Sequence, residues 1–172
     1  MAFETVKERL LARGYRVSVF ESAAEAADYL DRVIDNTVRW HWVDGMDTLP
    51  AASDSRVYLA SANGLAETGE IINIDGTGNR VSSTLYGHEE VFFVIGKNKL
   101  APTYDEALWR ARNIAAPKNA QRLKRKTPCA VNGDRCYNCS SPERICRALV
   151  VLWEAVKSCR MEVVLVNEDL GM

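Results

Sequence analysis

The sequence lacks the long apolar segments that mark membrane and secreted proteins. Residues 1–20 carry charges throughout, and no uncharged apolar run approaches the about 18 residues that a membrane-spanning helix needs. We therefore expect a soluble, cytoplasmic protein with no membrane partner. The net charge of −1 at pH 7 gives no general attraction to nucleic acid. The expected partners are small molecules or other proteins.

The sequence also has no internal repeat, no low-complexity stretch and no linker. Its 172 residues, of which 47% are hydrophobic, fit a single globular domain with a core of its own. We therefore treat residues 1–172 as one domain, in which residues 129–146 form a cysteine-rich C-terminal addition.

Histidine is scarce, and the two that occur are far from metal-ligand spacing with the cysteines. We expect His41 and His88 to lie on the surface or in packed regions rather than to act in catalysis. The four tryptophans are expected in the core or at a subunit interface. They are Trp40, Trp42, Trp109 and Trp153.

Cysteine, by contrast, is concentrated in one segment. Four of the five cysteines are Cys129, Cys136, Cys139 and Cys146. The CxxC pair allows two thiolates to bind one metal, and the outer two cysteines can fold back to complete four ligands. This predicts either a [4Fe–4S] cluster or a Zn²⁺ ion, and the zinc alternative would only pin a loop. Cys159 stands alone and is most simply a small apolar filler.

Basic residues surround the cysteine segment. Lys124, Arg125 and Lys126 precede it, while Arg135 and Arg144 lie within it. Positive charge near an anionic cluster tends to raise its reduction potential, which would suit electron transfer. The alternative is a solvated helix end, where cations favour the helix dipole.

Apolar spacing predicts helices alternating with strands. Helices are predicted over residues 3–13 and 22–34 and after Thr103, with capping boxes at Ser22–Glu25 and Thr103–Glu106; Pro117 can start a further helix. Strand-length apolar runs occupy residues 15–20, 38–43, 57–60, 91–95 and 163–166. The predicted fold is α/β, a mostly parallel sheet with helices on both faces.

A glycine-containing loop, IDGTGNR, lies between an apolar run and a helix-like segment. Its candidate ligand-binding residues are Asp75, Gly76, Gly78, Asn79 and Arg80. Glycines allow backbone N–H groups to approach an anion, and the arginine can bind a carboxylate or a phosphate. A tight turn that needs positive φ would have the same sequence.

A second polar group follows a predicted buried strand. Lys97, Asn98 and Lys99 come directly after the apolar run 91–95. In α/β sheets the binding crevice lies at the carboxyl ends of the strands, so these residues are candidates for ligand binding. The alternative is an ordinary charged loop.

Four ordered stretches carry a family resemblance. They are SANGLAETGEIINIDGTGNRVSSTLYGHEEVFFVIGKNKL, RNIAAPKNAQRL, TPCAVNGDRCYNCSSPERIC and VVLVNEDLG. In these stretches the chain resembles the lactate-utilisation (LUD) domain family, specifically its short cysteine-bearing members, which are related to lactate-utilisation protein C.

The resemblance implies a fold like that of the sugar-isomerase and coenzyme A transferase superfamily. It also implies a role in the oxidation of lactate or a similar hydroxy acid alongside iron–sulfur partners. Ligands of the superfamily lie along the strand ends, which would place Asn63 and Glu67 near the same pocket as Asp75. Further residues match a family motif that would line the crevice: Arg112, Asn113, Lys118 and Asn119.

One region departs from the family pattern. Between residues 44 and 55 the chain is shortened, and of the usual glycine-rich turn only Gly45 remains. This predicts a pocket wall that is open, or that is closed by a second subunit, so a homo-oligomer is one expectation.

Three functional hypotheses follow. The first is a redox accessory protein or enzyme of small hydroxy-acid metabolism that binds a carboxylate or phosphate. The sequence contains no flavin or nicotinamide fingerprint, so the hydride acceptor would belong to a partner subunit. The second is a zinc-stapled domain that binds a small carboxylate, phosphate or acyl ligand without redox chemistry. The third is a structural or regulatory subunit.

Overall fold

The computed structural model of the protein describes residues 3–34, 45 and 48–172. The α-helices are α1 (Glu4–Ala12), α2 (Ala23–Val33), α3 (Thr48–Ala52), α4 (Asn79–Leu85), α5 (Tyr104–Arg110), α6 (Ala116–Arg122) and α7 (Pro128–Asn132). The strands are β1 (Arg16–Phe20), β2 (Val57–Ala60), β3 (Gly64–Ala66), β4 (Ile71–Asp75), β5 (Glu90–Gly96), β6 (Leu100–Ala101), β7 (Ala148–Leu152) and β8 (Arg160–Val166). The predicted strand over 38–43 lies outside the described residues, as do Trp40, His41 and Trp42.

The first sheet is entirely parallel. Its strand order is β1-β8-β5-β2, and each neighbouring pair runs in the same direction. These strands include four of the apolar runs that the sequence marks as buried strands. The expectation of a parallel sheet in an α/β fold is confirmed.

Helices cover both faces of the first sheet. On one face Phe92, Val164 and Val166 pack with Ala26 of α2. On the other face the alternate residues pack in a second cluster that includes Leu10 of α1. Because successive side chains of a strand point to opposite faces, these central strands need apolar residues at every position.

A second sheet was not anticipated from the sequence. Its order is β6-β3-β4-β7, with antiparallel pairing of β4 to β3 and to β7. Two of its strands contain only three and two residues, which is too short for a periodic pattern. Leu65 and Ile71 of this sheet pack in the same cluster as α1, so the second sheet closes the core on that side.

The capping predictions are confirmed by hydrogen bonds. Ser22 Oγ accepts the N–H of Glu25 at 3.2 Å, and Thr103 Oγ1 accepts the N–H of Glu106 at 3.2 Å. The helical conformation that begins with α5 does not end before Pro117, however. A π-helical turn, Ala111–Ala115, joins α5 to α6, and this wider turn precedes a proline that has no N–H to donate.

Two of the tryptophans are exposed rather than buried. Trp109 and Trp153 are 59% and 67% exposed, so neither belongs to the core of this chain. Cys159 packs against the main hydrophobic cluster, as expected of a small apolar filler. No helix among the described residues has both the length and the apolar character needed to cross a bilayer.

Candidate functional site

A large cavity lies where three parallel strands of the first sheet end. It has a volume of about 760 Å³, and its lining includes residues that follow β2, β5 and β8, namely Asn63, Lys99 and Gly171. The end of β4, the helix α6 and the cysteine segment complete the wall. A crevice outside the carboxyl ends of the strands is the usual ligand position in α/β sheets.

The glycine loop forms one edge of this cavity, and its own aspartate already binds the backbone amides of Gly76 and Thr77. Asp75 Oδ1 accepts the N–H groups of Gly76 and Thr77 at 2.7 and 3.3 Å, and Asp75 Oδ2 accepts that of Val81 at 3.1 Å. Burial alone would raise the pKa of Asp75. The N–H of Val81, the charge of Arg80 and the loop amides instead hold this pKa below its usual value. The carboxylate therefore stabilises the loop itself.

Two glycines shape this loop for different reasons. A Cβ added to Gly76 would lie 2.6 Å from the carbonyl oxygen of Ile145, in the cysteine segment. Gly78 has φ +94° and lies in open space, so there the requirement is the left-handed backbone. The loop thus packs directly against the cysteine segment at Gly76.

Arg80 is held at the cavity wall by neutral partners. Its guanidinium donates to Asn63 Oδ1 at 3.0 Å and to the carbonyl oxygen of Ile74 at 2.6 Å. Asn63 Oδ1 also accepts the N–H of Ile74 at 2.7 Å. Burial lowers the pKa of Arg80, and the charge of Asp75 opposes this effect. Arg80 lines the cavity in a fixed position.

Lys99 is a buried cation in the same wall. Only 5% of this residue is exposed, and its Nζ donates to Ser61 Oγ at 3.1 Å. Burial, together with the charges of Arg110 and Arg80, lowers the pKa of Lys99 to about 8. Within the described part of the chain, no carboxylate lies within salt-bridge distance of this ammonium group.

Arg110 fixes the two backbone segments that carry the site. Its Nε donates to the carbonyl oxygen of Asn98 at 2.7 Å, and its Nη1 donates to that of Asn63 at 2.6 Å. The sequence reasoning missed this residue. The pattern that could have revealed Arg110 is a basic residue on the buried face of α5, one turn from Ala107 and next to Ala111.

The basic side chains of the cavity outnumber the acidic ones. The basic lining residues are Arg80, Lys99, Arg122, Arg125, Arg144 and Arg147, whereas the acidic ones are Asp75 and Glu143. Both carboxylates accept backbone N–H groups; that of Glu143 accepts the N–H of Lys126 at 2.8 Å. The cavity therefore has a positive potential that suits an anion.

The structure does not bring all predicted ligand-binding residues to this cavity. Asn63, Asp75, Gly76, Asn79, Arg80, Lys99 and Asn119 line it. Gly78 caps α4 beside it, and Lys97 is exposed. Asn98 is used elsewhere, since its Oδ1 accepts the N–H of Leu170 at 3.1 Å and its amide donates to Gly171. Glu67 and Lys118 do not line the cavity either.

The cysteine segment forms the opposite wall of the cavity. Pro142, Glu143, Arg144 and Ile145, which lie between Cys139 and Cys146, all contribute to its lining. Cys129 lies in α7, where its Sγ is 3.3 Å from Thr127 Oγ1. All five cysteines are free thiols.

A smaller cavity of about 200 Å³ adjoins the thiols. Cys136, Cys146, Arg112 and Arg144 line it together with apolar residues. The side chain of Asn113 accepts the N–H of Cys136 at 3.1 Å and so ties the π-helical turn to this segment. The second cavity therefore lies between the thiols and the helical layer.

Arg144 is the centre of the cysteine segment. Its Nε donates to Cys146 Sγ at 3.2 Å, and its Nη1 donates to the carbonyl oxygen of Cys139 at 2.8 Å. The hydrogen bond to Cys146 and then the charges of Cys146, Cys139 and Cys136 raise the pKa of Arg144. Because Arg144 lines both cavities, it is a direct link between the thiols and the larger of the two.

The donor chemistry of this segment fits a soft metal. Cys136 Sγ accepts the N–H of Asn138 at 3.3 Å, and Asn138 has φ +45°, a local turn that offers an amide to a thiolate ligand. Among the described residues, however, no group of three or more His, Cys, Asp or Glu side chains is placed to hold a metal ion. The four thiols thus provide suitable ligands without converging on one centre.

His88 takes no part in either cavity. It is buried, its Nδ1 lies 2.7 Å from the carbonyl oxygen of Ser55, and its ring stacks on Tyr58 with centroids 5.0 Å apart. A packing role is consistent with these contacts.

Comparisons with known proteins agree with this architecture. The sequence model of the LUD domain matches residues 45–166. A solved structure of a DUF162 family protein from Deinococcus radiodurans is similar to the chain with a TM-score of 0.56, at 17% identity and over 96% of each chain. Identity this low carries information about the fold alone. No curated protein matches the chain.

Proposed function

Since the chain belongs to the LUD domain family, we propose that it binds a small carboxylate or phosphate ligand and serves in the utilisation of lactate or a similar hydroxy acid. The observation that carries this proposal is the charge of the large cavity. Six basic side chains line it against two acidic ones, and both acids accept backbone N–H groups. A bound anion would supply negative charge beside Arg80 and Lys99, neither of which pairs with a carboxylate among the described residues.

The sheet side of the cavity provides the most buried cations. Arg80 and Lys99 are held in place by hydrogen bonds to neutral groups. A hydrogen bond to a charged group contributes about 1.5–3 kcal/mol, and more than one can form to a single carboxylate or phosphate. Arg125 and Arg147 add positive charge on the more exposed side.

The four cysteines are the residues that would hold a metal group. In our proposal Cys129, Cys136, Cys139 and Cys146 bind a [4Fe–4S] cluster, which would supply one-electron transfer. Arg144 would then place a fixed positive charge beside the thiolates, as it does beside the free thiols. Positive charge near the sulfurs favours the reduced form of a cluster.

Oxidation of a hydroxy acid also requires an electron acceptor. No flavin or nicotinamide fingerprint occurs in the sequence, so the proposal assigns that acceptor to a redox partner subunit. This protein would then contribute the anion cavity and the cysteine site.

The contact between Gly76 and Ile145 favours a second candidate. Because the cysteine segment packs on the glycine loop and lines the cavity, a Zn²⁺ ion on the same thiols would hold that wall closed without any redox step. The protein would then be a zinc-stapled binding domain for a small carboxylate, phosphate or acyl ligand.

One preparation can test both candidates. The full chain is purified without oxygen and analysed for iron, sulfide and zinc, and its thermal unfolding is then followed with lactate, phosphate and an acyl thioester. Ligand at about 100 times its dissociation constant stabilises a protein by about 2.7 kcal/mol, so a rise in melting temperature is expected. Iron with sulfide supports the redox candidate, whereas zinc alone supports the second.

A variant pair makes the ligand measurement specific. Arg80→Gln should abolish the rise in melting temperature that lactate or phosphate produces. Arg32→Gln removes an exposed arginine of α2 that is not part of the cavity lining, and it should leave the rise intact. If no carboxylate or phosphate stabilises the wild type, the proposed binding function is wrong.

A further inference from the structure

Lys99 is a buried lysine whose ammonium group has no carboxylate partner among the described residues, unlike several more exposed cations of this protein. Arg13, Arg16 and Arg56 each pair with a carboxylate, at distances of 2.7 to 3.2 Å. Lys99 is more buried than any of these three, yet its one hydrogen bond among the described residues goes to a serine hydroxyl. A buried charge without a counter-charge is costly, so its retention calls for a chemical use.

The surroundings of Lys99 favour a reactive amine. Arg80 and Arg110 add positive charge around it, and burial removes water from it; these effects lower its pKa to about 8. At pH 7 roughly a tenth of such an amine is neutral, against less than roughly a thousandth for an ordinary lysine. Desolvation and neighbouring cations are the means by which proteins activate lysine as a nucleophile.

We propose that Lys99 is a nucleophile that forms an imine with the carbonyl group of a small 2-oxo carboxylate bound in the large cavity. This inference rests on the proposed function, because the basic lining must bind the carboxylate. The substrate class follows from the position of Arg80 in the same wall as the amine. The arginine would bind the carboxylate while the amine attacks the carbonyl group.

The chemistry is balanced without any further reactant. The lone pair of Lys99 Nζ attacks the carbonyl carbon and forms a C–N bond, while the carbonyl oxygen takes a proton to give a carbinolamine. Loss of that hydroxyl as water leaves a C=N bond. Ser61 Oγ, at 3.1 Å from Nζ, is placed to pass a proton between nitrogen and oxygen.

Reductive trapping tests this directly. The full-length protein is incubated with pyruvate and cyanoborohydride, which converts an imine into a stable secondary amine, and the labelled peptides are mapped by mass spectrometry. We expect labelling at Lys99 to exceed labelling at Lys97 at least tenfold, although Lys97 is exposed and lies in the same short turn. Lactate has the carboxylate but no carbonyl, so it should form no adduct and should compete with pyruvate.

Two variants distinguish imine formation from the effect of the positive charge alone. Lys99→Arg keeps a cation but cannot form an imine, so it should lose the adduct whatever its effect on the stabilisation by lactate. Lys157→Arg, at an exposed position outside the cavity lining, should keep both. Mapping of the wild type alone remains decisive if Lys99→Arg does not fold.

Three results would overturn the inference. Labelling of Lys99 no faster than that of Lys97 would show that its amine is not a selective nucleophile. Stabilisation by lactate without pyruvate trapping would leave the proposed binding function standing and make Lys99 an anion-binding cation only. If neither ligand stabilises the protein and no adduct forms, the proposed function and this inference both fail.

Discussion

The large cavity has two walls that are built differently. The ends of the strands and the adjoining loops form the sheet wall, and the cysteine segment forms the cysteine wall. On the sheet side, Arg80, Lys99 and Arg110 are held by hydrogen bonds to strand ends and adjoining loops. On the other side, every residue from 128 to 151 is at least partly exposed. The first wall is fixed by the folded core, whereas the second has almost no core of its own.

The difference indicates where a metal would matter. A short segment that buries little apolar surface needs another source of stability, and metal ligation is a common one. Metal binding should therefore affect the cysteine wall strongly and the sheet wall weakly. The contacts of Gly76 with Ile145 and of Arg144 with Cys146 are the places where one wall influences the other.

The largest effect is expected from Cys136→Ser. Structural metal sites contribute about 10 kcal/mol or more to folding in small metal-dependent units. We therefore expect the variant to lose its metal and to show amide exchange in residues 128–147 that is at least about a hundredfold faster. Hydrogen exchange by mass spectrometry would measure this, and the strands of the first sheet should be unaffected.

Cys159→Ser is the matched control for that experiment. This cysteine packs against the main hydrophobic cluster, away from the cysteine segment, so the metal content should not change. Equal loss of metal in both variants, or unchanged exchange in Cys136→Ser, would contradict the distinction between the two walls.

Lys99→Met should stabilise the sheet wall while impairing its function. The folded-state pKa of about 8 lies below the ordinary 10.5, so below about pH 8 both states are protonated and the folded state bears the full cost of burying the charge. Between these two values the unfolded state binds more protons, and wild-type stability rises with pH. Replacing the charged lysine should raise the free energy of unfolding at pH 7 by as much as about 3 kcal/mol.

The pH dependence distinguishes this effect from improved packing. The gain in free energy of unfolding of Lys99→Met over the wild type should shrink above pH 8 and vanish near pH 10.5. Urea unfolding would measure it. Lys157→Met, at an exposed position, should show no such trend. An advantage that is constant with pH would mean that the charge of Lys99 is not the cause.

Gly76→Ala should have a smaller effect, at the junction of the walls. The added Cβ would lie 2.6 Å from the carbonyl oxygen of Ile145, and such overpacking costs about 1–3 kcal/mol. We expect lower stability in thermal unfolding together with weaker anion binding, because the cysteine wall must move.

Gly78→Ala supplies the comparison for Gly76→Ala. Its cost should come from the left-handed backbone alone, about 1–2 kcal/mol, since nothing lies near the added atom. Anion binding should therefore be preserved. Equal losses of binding in the two variants would show that the Gly76 contact has no special role.

The sequence predicts the parts of this protein that have strong local signals. Long apolar runs such as 91–95 became strands of the parallel sheet, and Ser22 and Thr103 cap helices as their spacing indicates. The second sheet has no comparable signal, because β3 and β6 are very short and are fixed by their neighbours. The predicted strand at 38–43 lies outside the described residues, as does the part of the shortened region 44–55 that precedes residue 48, save for Gly45.

The candidate site was only partly accessible to the same reasoning. Lys99 reaches the cavity whereas Lys97 and Asn98 do not, because the 3₁₀ turn directs adjacent side chains to different surroundings. The amides of Gly76 and Thr77 in the glycine loop bind the carboxylate of Asp75 instead of facing an open anion site. Which acceptor each amide binds depends on the tertiary structure, so local sequence patterns do not predict it. The spacing of the cysteines still predicts a metal site.

The central claim is that the sheet wall binds a small anion through Arg80. Calorimetric titration of lactate and of phosphate into the wild type, Arg80→Gln and Arg32→Gln tests it most directly. We predict binding of at least one of these anions to the wild type and to Arg32→Gln, with an affinity at least about tenfold weaker in Arg80→Gln, equivalent to about 1.4 kcal/mol. Absence of binding to the wild type, or equal affinity in all three proteins, would contradict the account.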